Sequence, residues 1–144
     1  MIPSVLFYSK SCEWNTPDCL FDELNSEFRF NLDVCATPEN AKCERFFTKE
    51  DDGLSQSWDG CNVWCNPPYN KEIIKWTKKA CETKNAVICM LLPARTDTKW
   101  FHDYVLGKAS EIRFIKGRLR FSGWNNSAPF PSIIVVYRNY GAEA

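Results

Sequence analysis

The sequence predicts an α/β domain built on a largely parallel sheet, and three observations carry that prediction. Apolar runs of strand character alternate with segments whose apolar residues recur at helical spacing. One run, Ala86 to Leu92, is apolar without a break, as expected of a strand covered on both faces. Another, Cys61 to Cys65, stops abruptly at Asn66-Pro67-Pro68-Tyr69, because proline has no N–H to offer a central strand.

Taken in order, Phe28 to Val34 alternates and ends around Asp33, which predicts a strand leading into a polar loop. Thr37 followed by Pro38-Glu39-Asn40-Ala41 reads as a short helix start, with Thr as cap and Pro at the first position. Arg45 to Thr48 reads as a second strand and Cys61 to Cys65 as a third. Glu72 to Lys84 places Ile73, Ile74, Trp76, Ala80 and Cys81 among lysines, a helix with one basic face. After the strand at Ala86 to Leu92, Thr96 to Val105 reads as another helix. Glu111 to Ile115 and Ser132 to Tyr137 follow as strands with no helix between them, so that pair is expected to be antiparallel.

The chain has 144 residues, which predicts one domain at roughly 100 to 200 residues each. A domain of that size buries about 68% of the surface its unfolded chain exposes, so it needs no disulfide or metal staples. A charged fraction of 25% beside 44% hydrophobic residues excludes disordered, fibrous and membrane classes. No apolar run approaches the roughly 18 residues that span a bilayer. Met1 to Lys10 has no basic start and no cleavage signature, so a cytoplasmic location with reduced thiols is expected for the eight cysteines. Cys61 and Cys65 lie four apart, but with His102 the sole histidine they read as small hydrophobes or surface thiols rather than metal ligands. His102 itself reads as a surface residue.

The formal net charge of zero conceals an asymmetry. Residues 1–70 hold 12 acidic and 5 basic side chains, whereas residues 71–144 hold 6 and 13. The acidic half suits a polar or cationic small ligand and the basic half a polyanion, although charges also segregate by chance along a mixed surface.

Ligands of open α/β sheets bind beyond the carboxyl ends of strands. Asp33 and the Asn66-Pro67-Pro68-Tyr69 turn are both expected there. The turn combines a side-chain amide oxygen, a rigid backbone carbonyl and an aromatic face. Those groups suit a planar ligand bearing an NH2 group: Asn66 and the Pro67 carbonyl can accept its two hydrogens while Tyr69 stacks on its ring. Pro-Pro turns beside an aromatic also occur for structural reasons alone. Lys116, Arg118 and Arg120 alternate ahead of Phe121 and Trp124, a mixture that suits phosphate contact or, equally, a solvated strand face beside core aromatics.

Several of these segments together carry a resemblance. Trp14-Asn15-Thr16-Pro17 with Leu20-Phe21, LDVCATPENAKC, EDDGL with Trp58, WCNPPYN, LLPARTDTKWFH, EIRFIKGRLRF and APFPS occur in the order found in phage-type DNA N-6-adenine methyltransferases, from about Trp14 to Arg138. The resemblance implies a minimal, Rossmann-like S-adenosylmethionine-dependent methyltransferase fold, mostly parallel with an antiparallel C-terminal strand, acting on adenine in double-stranded DNA. It implies catalytic roles for Asn66, Pro67, Pro68 and Tyr69. Cofactor contacts are implied for Trp14, Thr16 and Pro17, for Asp33 at the end of the first strand, and for Asp51 and Asp52 on the ribose or adenine. Lys116, Arg118 and Arg120 are the expected DNA contacts. The first-strand loop, CATPEN, lacks the glycine-rich turn common in the wider class. Two rivals use the same residues differently: methylation of RNA or of a protein glutamine amide, and a catalytically inactive relative that only binds DNA.

Overall fold

The computed structural model describes residues 15–121 and 126–140. The chain opens with helix α1, Asp18–Phe28, and then strand β1, Leu32–Asp33. A 3-10 turn at Gly53–Ser55 precedes β2, Asn62–Cys65, helix α2, Ile73–Glu82, and β3, Ala86–Pro93. A π-helical turn, Phe101–Val105, leads to β4, Glu111–Phe114, and β5, Ser132–Asn139. The five strands form one sheet in the order β1-β2-β3-β5-β4. β1, β2 and β3 are parallel, and β5 is antiparallel to both β3 and β4. The expected mixed α/β sheet, parallel at its start with an antiparallel last strand, is therefore what forms.

Packing explains where the core sits. β3 buries all eight of its residues and β5 its first six, because each has a neighbour on both sides and helices over its faces. α1 covers one face: Phe21, Leu24 and Phe28 are buried, and Phe21 meets Trp64 of β2 edge-on at 5.5 Å. On the other face, Ile73, Trp76, Thr77 and Ala80 of α2 are buried.

The N-terminal third differs from the sequence reading. α1 was not anticipated, and the strand expected over Phe28 to Val34 shrinks to two residues. The reason is visible at Arg29, whose left-handed backbone (φ 54°) ends the helix. Phe28 therefore leaves the helix and Phe30 the turn after it, and both enter one aromatic cluster with Phe21 and Trp64. Their two-residue spacing imitates strand alternation. Thr37 does cap, but reciprocally with Asn40: each side-chain oxygen accepts the other's backbone N–H, at 3.2 and 2.7 Å. The result is a closed turn rather than a helix. Arg45 to Thr48 forms a single parallel bridge, Asp33 to Phe46, instead of a strand. The helix expected from Thr96 is shorter and ends in the π turn.

Candidate active site

β1 and β2 end side by side, with Asp33 paired to Trp64 one residue before Cys65. The chain then leaves the sheet at Asn66, since Pro67 and Pro68 cannot extend the ladder. Asn66 is held from two directions. Its Nδ2 donates to the Thr16 Oγ1 at 3.0 Å, and its Oδ1 accepts from the Tyr69 hydroxyl at 2.8 Å. That hydroxyl also lies 3.0 Å from the carbonyl oxygen of Leu91 in β3, so its one hydrogen serves two acceptors. A carbonyl oxygen has two lone pairs, so an amide oxygen such as Asn66 Oδ1 is able to accept from two donors.

Asp33 is buried, and among the described residues its carboxylate accepts two backbone bonds, from Lys42 N–H at 3.0 Å and Cys35 N–H at 3.3 Å. Burial pushes its pKa up to about 6, against the pull of those two donors. Its backbone N–H donates to the Arg45 carbonyl and its carbonyl accepts from Phe47 N–H, which folds the loop back beside β1.

The opposite wall is the turn at 48–55. Gly53 is required there: a Cβ at this position would stand 2.2 Å from the Val34 carbonyl oxygen. Trp58, fully buried, donates its indole N–H to the Gly53 carbonyl at 2.9 Å and stacks on Trp76 of α2. The neighbouring carboxylates separate. Asp51 turns inward on its own loop, accepting from the Thr48 N–H and hydroxyl at 2.9 and 3.0 Å. Asp52, in a left-handed conformation (φ 57°), faces the open space.

Between these walls lies a cavity of about 1260 Å³. Single-ligand pockets run roughly 300 to 1,000 Å³, so this one has room for more than one small molecule. Of the residues expected from sequence, Thr16, Asp33, Asp52, Asn66, Pro67 and Pro68 line it. Trp14 lies outside the described residues. Three others do not come to it as expected. Pro17 caps α1. Asp51 stabilises its own turn. Tyr69 is buried, edge-on to Phe121 and Phe130 at 6.3 and 5.6 Å, so in this conformation its ring is not available for stacking in the cavity, and its hydroxyl is what reaches Asn66. Lys116, Arg118 and Arg120 are exposed beyond the end of β4, away from the cavity lining.

Lining residues that sequence reasoning passed over include Asn15, Asn40, Leu54, Glu72 and Trp76. Asn40 was read as part of a helix start, and its donation to Asn15 Oδ1 at 2.9 Å joins positions 25 apart, a contact that no local pattern announces. Chemically, the cavity offers buried and exposed carboxylates for a cation or hydroxyls, an apolar wall at Leu54 and Trp76, and a fixed amide at Asn66. No helix of the described residues is long and apolar enough to cross a membrane.

The chain matches the family model described as DNA N-6-adenine-methyltransferase (Dam) over residues 4–144. It is 37% identical over 110 residues to the DNA N-6-adenine-methyltransferase of Escherichia phage T1, covering 74% of this chain and 45% of that one. It is 34% identical over 106 residues to the enzyme of the same name from Haemophilus phage HP1, covering 71% and 61%. The chain thus spans about half the length of the curated relatives it matches. With the family matched over almost its whole length and its proline-interrupted turn opening on one shared cavity, this chain belongs to the DNA N-6-adenine-methyltransferase (Dam) family.

Proposed function

We propose that this chain transfers a methyl group from S-adenosylmethionine to the exocyclic N-6 amine of adenine in double-stranded DNA, on a minimal Rossmann-like fold. The observation that carries the reading is the Asn66 amide, locked at the carboxyl end of β2 and opening on the cavity that Asp33 and Asp52 also line. The donor set suits the methyl donor: Asp33 or Asp52 for its ammonium or ribose hydroxyls, and Leu54 and Trp76 for its ring. When bound, S-adenosylmethionine supplies an electrophilic methyl group.

The chain's own residues supply the rest. An adenine amine has its lone pair delocalised into the ring. Accepting one hydrogen at Asn66 Oδ1 and the other at the Pro67 carbonyl helps to localise it. Both acceptors then stabilise the positive charge that develops on the attacked nitrogen as the sulfonium–methyl bond breaks and a neutral thioether leaves, which is electrostatic preorganisation, and the nitrogen's surplus proton passes to water. Tyr69 contributes through its hydroxyl, by holding Asn66. Duplex stacking hides the amine, so the base is extruded into the cavity at a cost of a few kcal/mol, with Lys116, Arg118 and Arg120 on phosphates. The reaction belongs in the cytoplasm, where DNA and donor meet.

The test supplies methyl-labelled donor with unmethylated duplex DNA, with RNA and with cell protein, followed by nucleoside analysis. Label in N-6-methyladenine from DNA is expected. Label in RNA or protein alone transfers the reading to those substrates, and donor binding without turnover on any of them indicates an inactive relative.

A further inference from the structure

Phe114 is 72% exposed, more than any other large hydrophobic side chain described. Single exposed apolar residues are ordinary; the setting of this one is not. It is the last residue of β4, paired with Ile133, and the ladder continues past it through the Ile115 N–H to the Ser132 carbonyl, which fixes its place. β4 is antiparallel to β5, which is antiparallel to β3. Phe114 therefore stands on the same carboxyl rim as Asn66. In the order β2-β3-β5-β4 it lies three strand spacings from the end of β2, about 14 Å at about 4.8 Å each.

Lys116, Arg118 and Arg120 follow it, all exposed, while Ile115, Leu119 and Phe121 turn inward. None of the three cations forms an ion pair among the described residues. Arg113 and Arg138 behave differently: they are tied to Glu27 and Glu111 and lie over the Phe28 ring. No Asp or Glu occurs between Glu111 and Glu143. A ring in water followed by three unneutralised cations is complementary to a polyanion with flat apolar faces. It repels a second copy of itself, which argues against pairing of two β4 edges.

We propose that Phe114 is a DNA-contacting residue that stacks on a nucleobase a short distance from the target, while Lys116, Arg118 and Arg120 hold the flanking phosphates. The stacking partner is a base partly unstacked by extrusion of its neighbour, which gives the ring a face to cover. This inference rests on the DNA-methyltransferase reading and adds to it the residue that steadies the opened duplex.

Affinity for short mixed-sequence duplexes is measured across a salt series, beside donor binding, thermal unfolding and sedimentation. Phe114→Ala is expected to weaken duplex binding about tenfold. Its salt slope should stay unchanged, because no charge is lost, and donor affinity and unfolding temperature should hold. Phe114→Trp, which keeps a stacking face, should restore affinity. Replacing Lys116, Arg118 and Arg120 together by Ala should instead flatten the salt slope. Duplex affinity in Phe114→Ala equal to the parent's, with the parent methylating DNA, overturns the role of Phe114 and leaves the enzyme reading standing. Altered sedimentation of Phe114→Ala without loss of DNA affinity overturns it in favour of contact between copies. A parent that neither binds nor methylates duplex DNA ends both readings.

Discussion

The middle of the sheet and its β1 edge are built on different terms. In the middle, β3 and β5 run side by side for eight residues, each position paired to the next strand and nearly all buried. At the edge, β1 pairs with β2 over two residues only, and the backbone there is also taken up by a loop: Asp33 N–H by Arg45 and Ala36 N–H by Phe47. The long pair needs nothing from outside the ladder. The short pair leaves room for a cavity, whose walls are side chains and turns in place of strands. Burial and function are thus divided along the sheet, with the amide of Asn66 where the two meet.

That division can be broken first on its stable side. Ile88, fully buried in β3, should lose about 2 to 5 kcal/mol of unfolding free energy on change to Ala, measured by urea denaturation. A loss under about 1 kcal/mol would mean that β3 is not the scaffold that carries the cavity. On the other side, Asn66→Ala should cut turnover by about 100-fold or more, since it removes an acceptor that works mainly as charge develops. Donor affinity and the urea midpoint should change little; a turnover near the parent's removes Asn66 from the chemistry.

Asp33 links the two sides through pH. Its folded-state pKa, raised to about 6 from 3.8, means that the folded chain holds this proton more tightly than the unfolded one. Its contribution to stability is therefore fully present below about pH 3.8 and declines as pH rises to about 6. A cationic ligand group beside the carboxylate works in the opposite direction, so donor affinity should rise over the same window and level off above it. Asp33→Asn should flatten both curves in titrations by calorimetry and thermal unfolding. A parent whose donor affinity is level from pH 5 to 7 would place the cation elsewhere. The smallest effect separates two neighbours: Asp51→Ala should cost about 1 kcal/mol of stability through its lost cap on Thr48, whereas Asp52→Ala should weaken donor binding without that loss. Exchange of those two outcomes would reverse their assignment.

Much of this division was legible beforehand. The proline stop after Cys65, the helix over Ile73–Glu82 and the unbroken strand at Ala86–Pro93 each follow from a local rule: a missing donor, a 3.6-residue period, a face covered on both sides. The charge halves translate into space less cleanly, because Lys42, Lys49 and Lys71 line the cavity beside its carboxylates. α1 was missed because Phe28 and Phe30 copy a strand's alternation from the end of a helix.

By itself, the sequence determined which groups could do the chemistry and at which strand end they would stand, since both follow from residue type and from neighbours within a few positions. Where each side chain points was decided by the tertiary structure. Asp51 and Asp52 are alike in type and adjacent, yet one caps Thr48 and the other faces the cavity, on a turn whose Gly53 leaves no room for a Cβ beside the Val34 carbonyl. Tyr69 turns inward because its hydroxyl finds Leu91, 22 residues on. Phe114 is left outside because its strand is the last in the sheet. In each case the deciding contact joins segments far apart in the chain, and periodicity, which reports only on neighbours, carries no record of it.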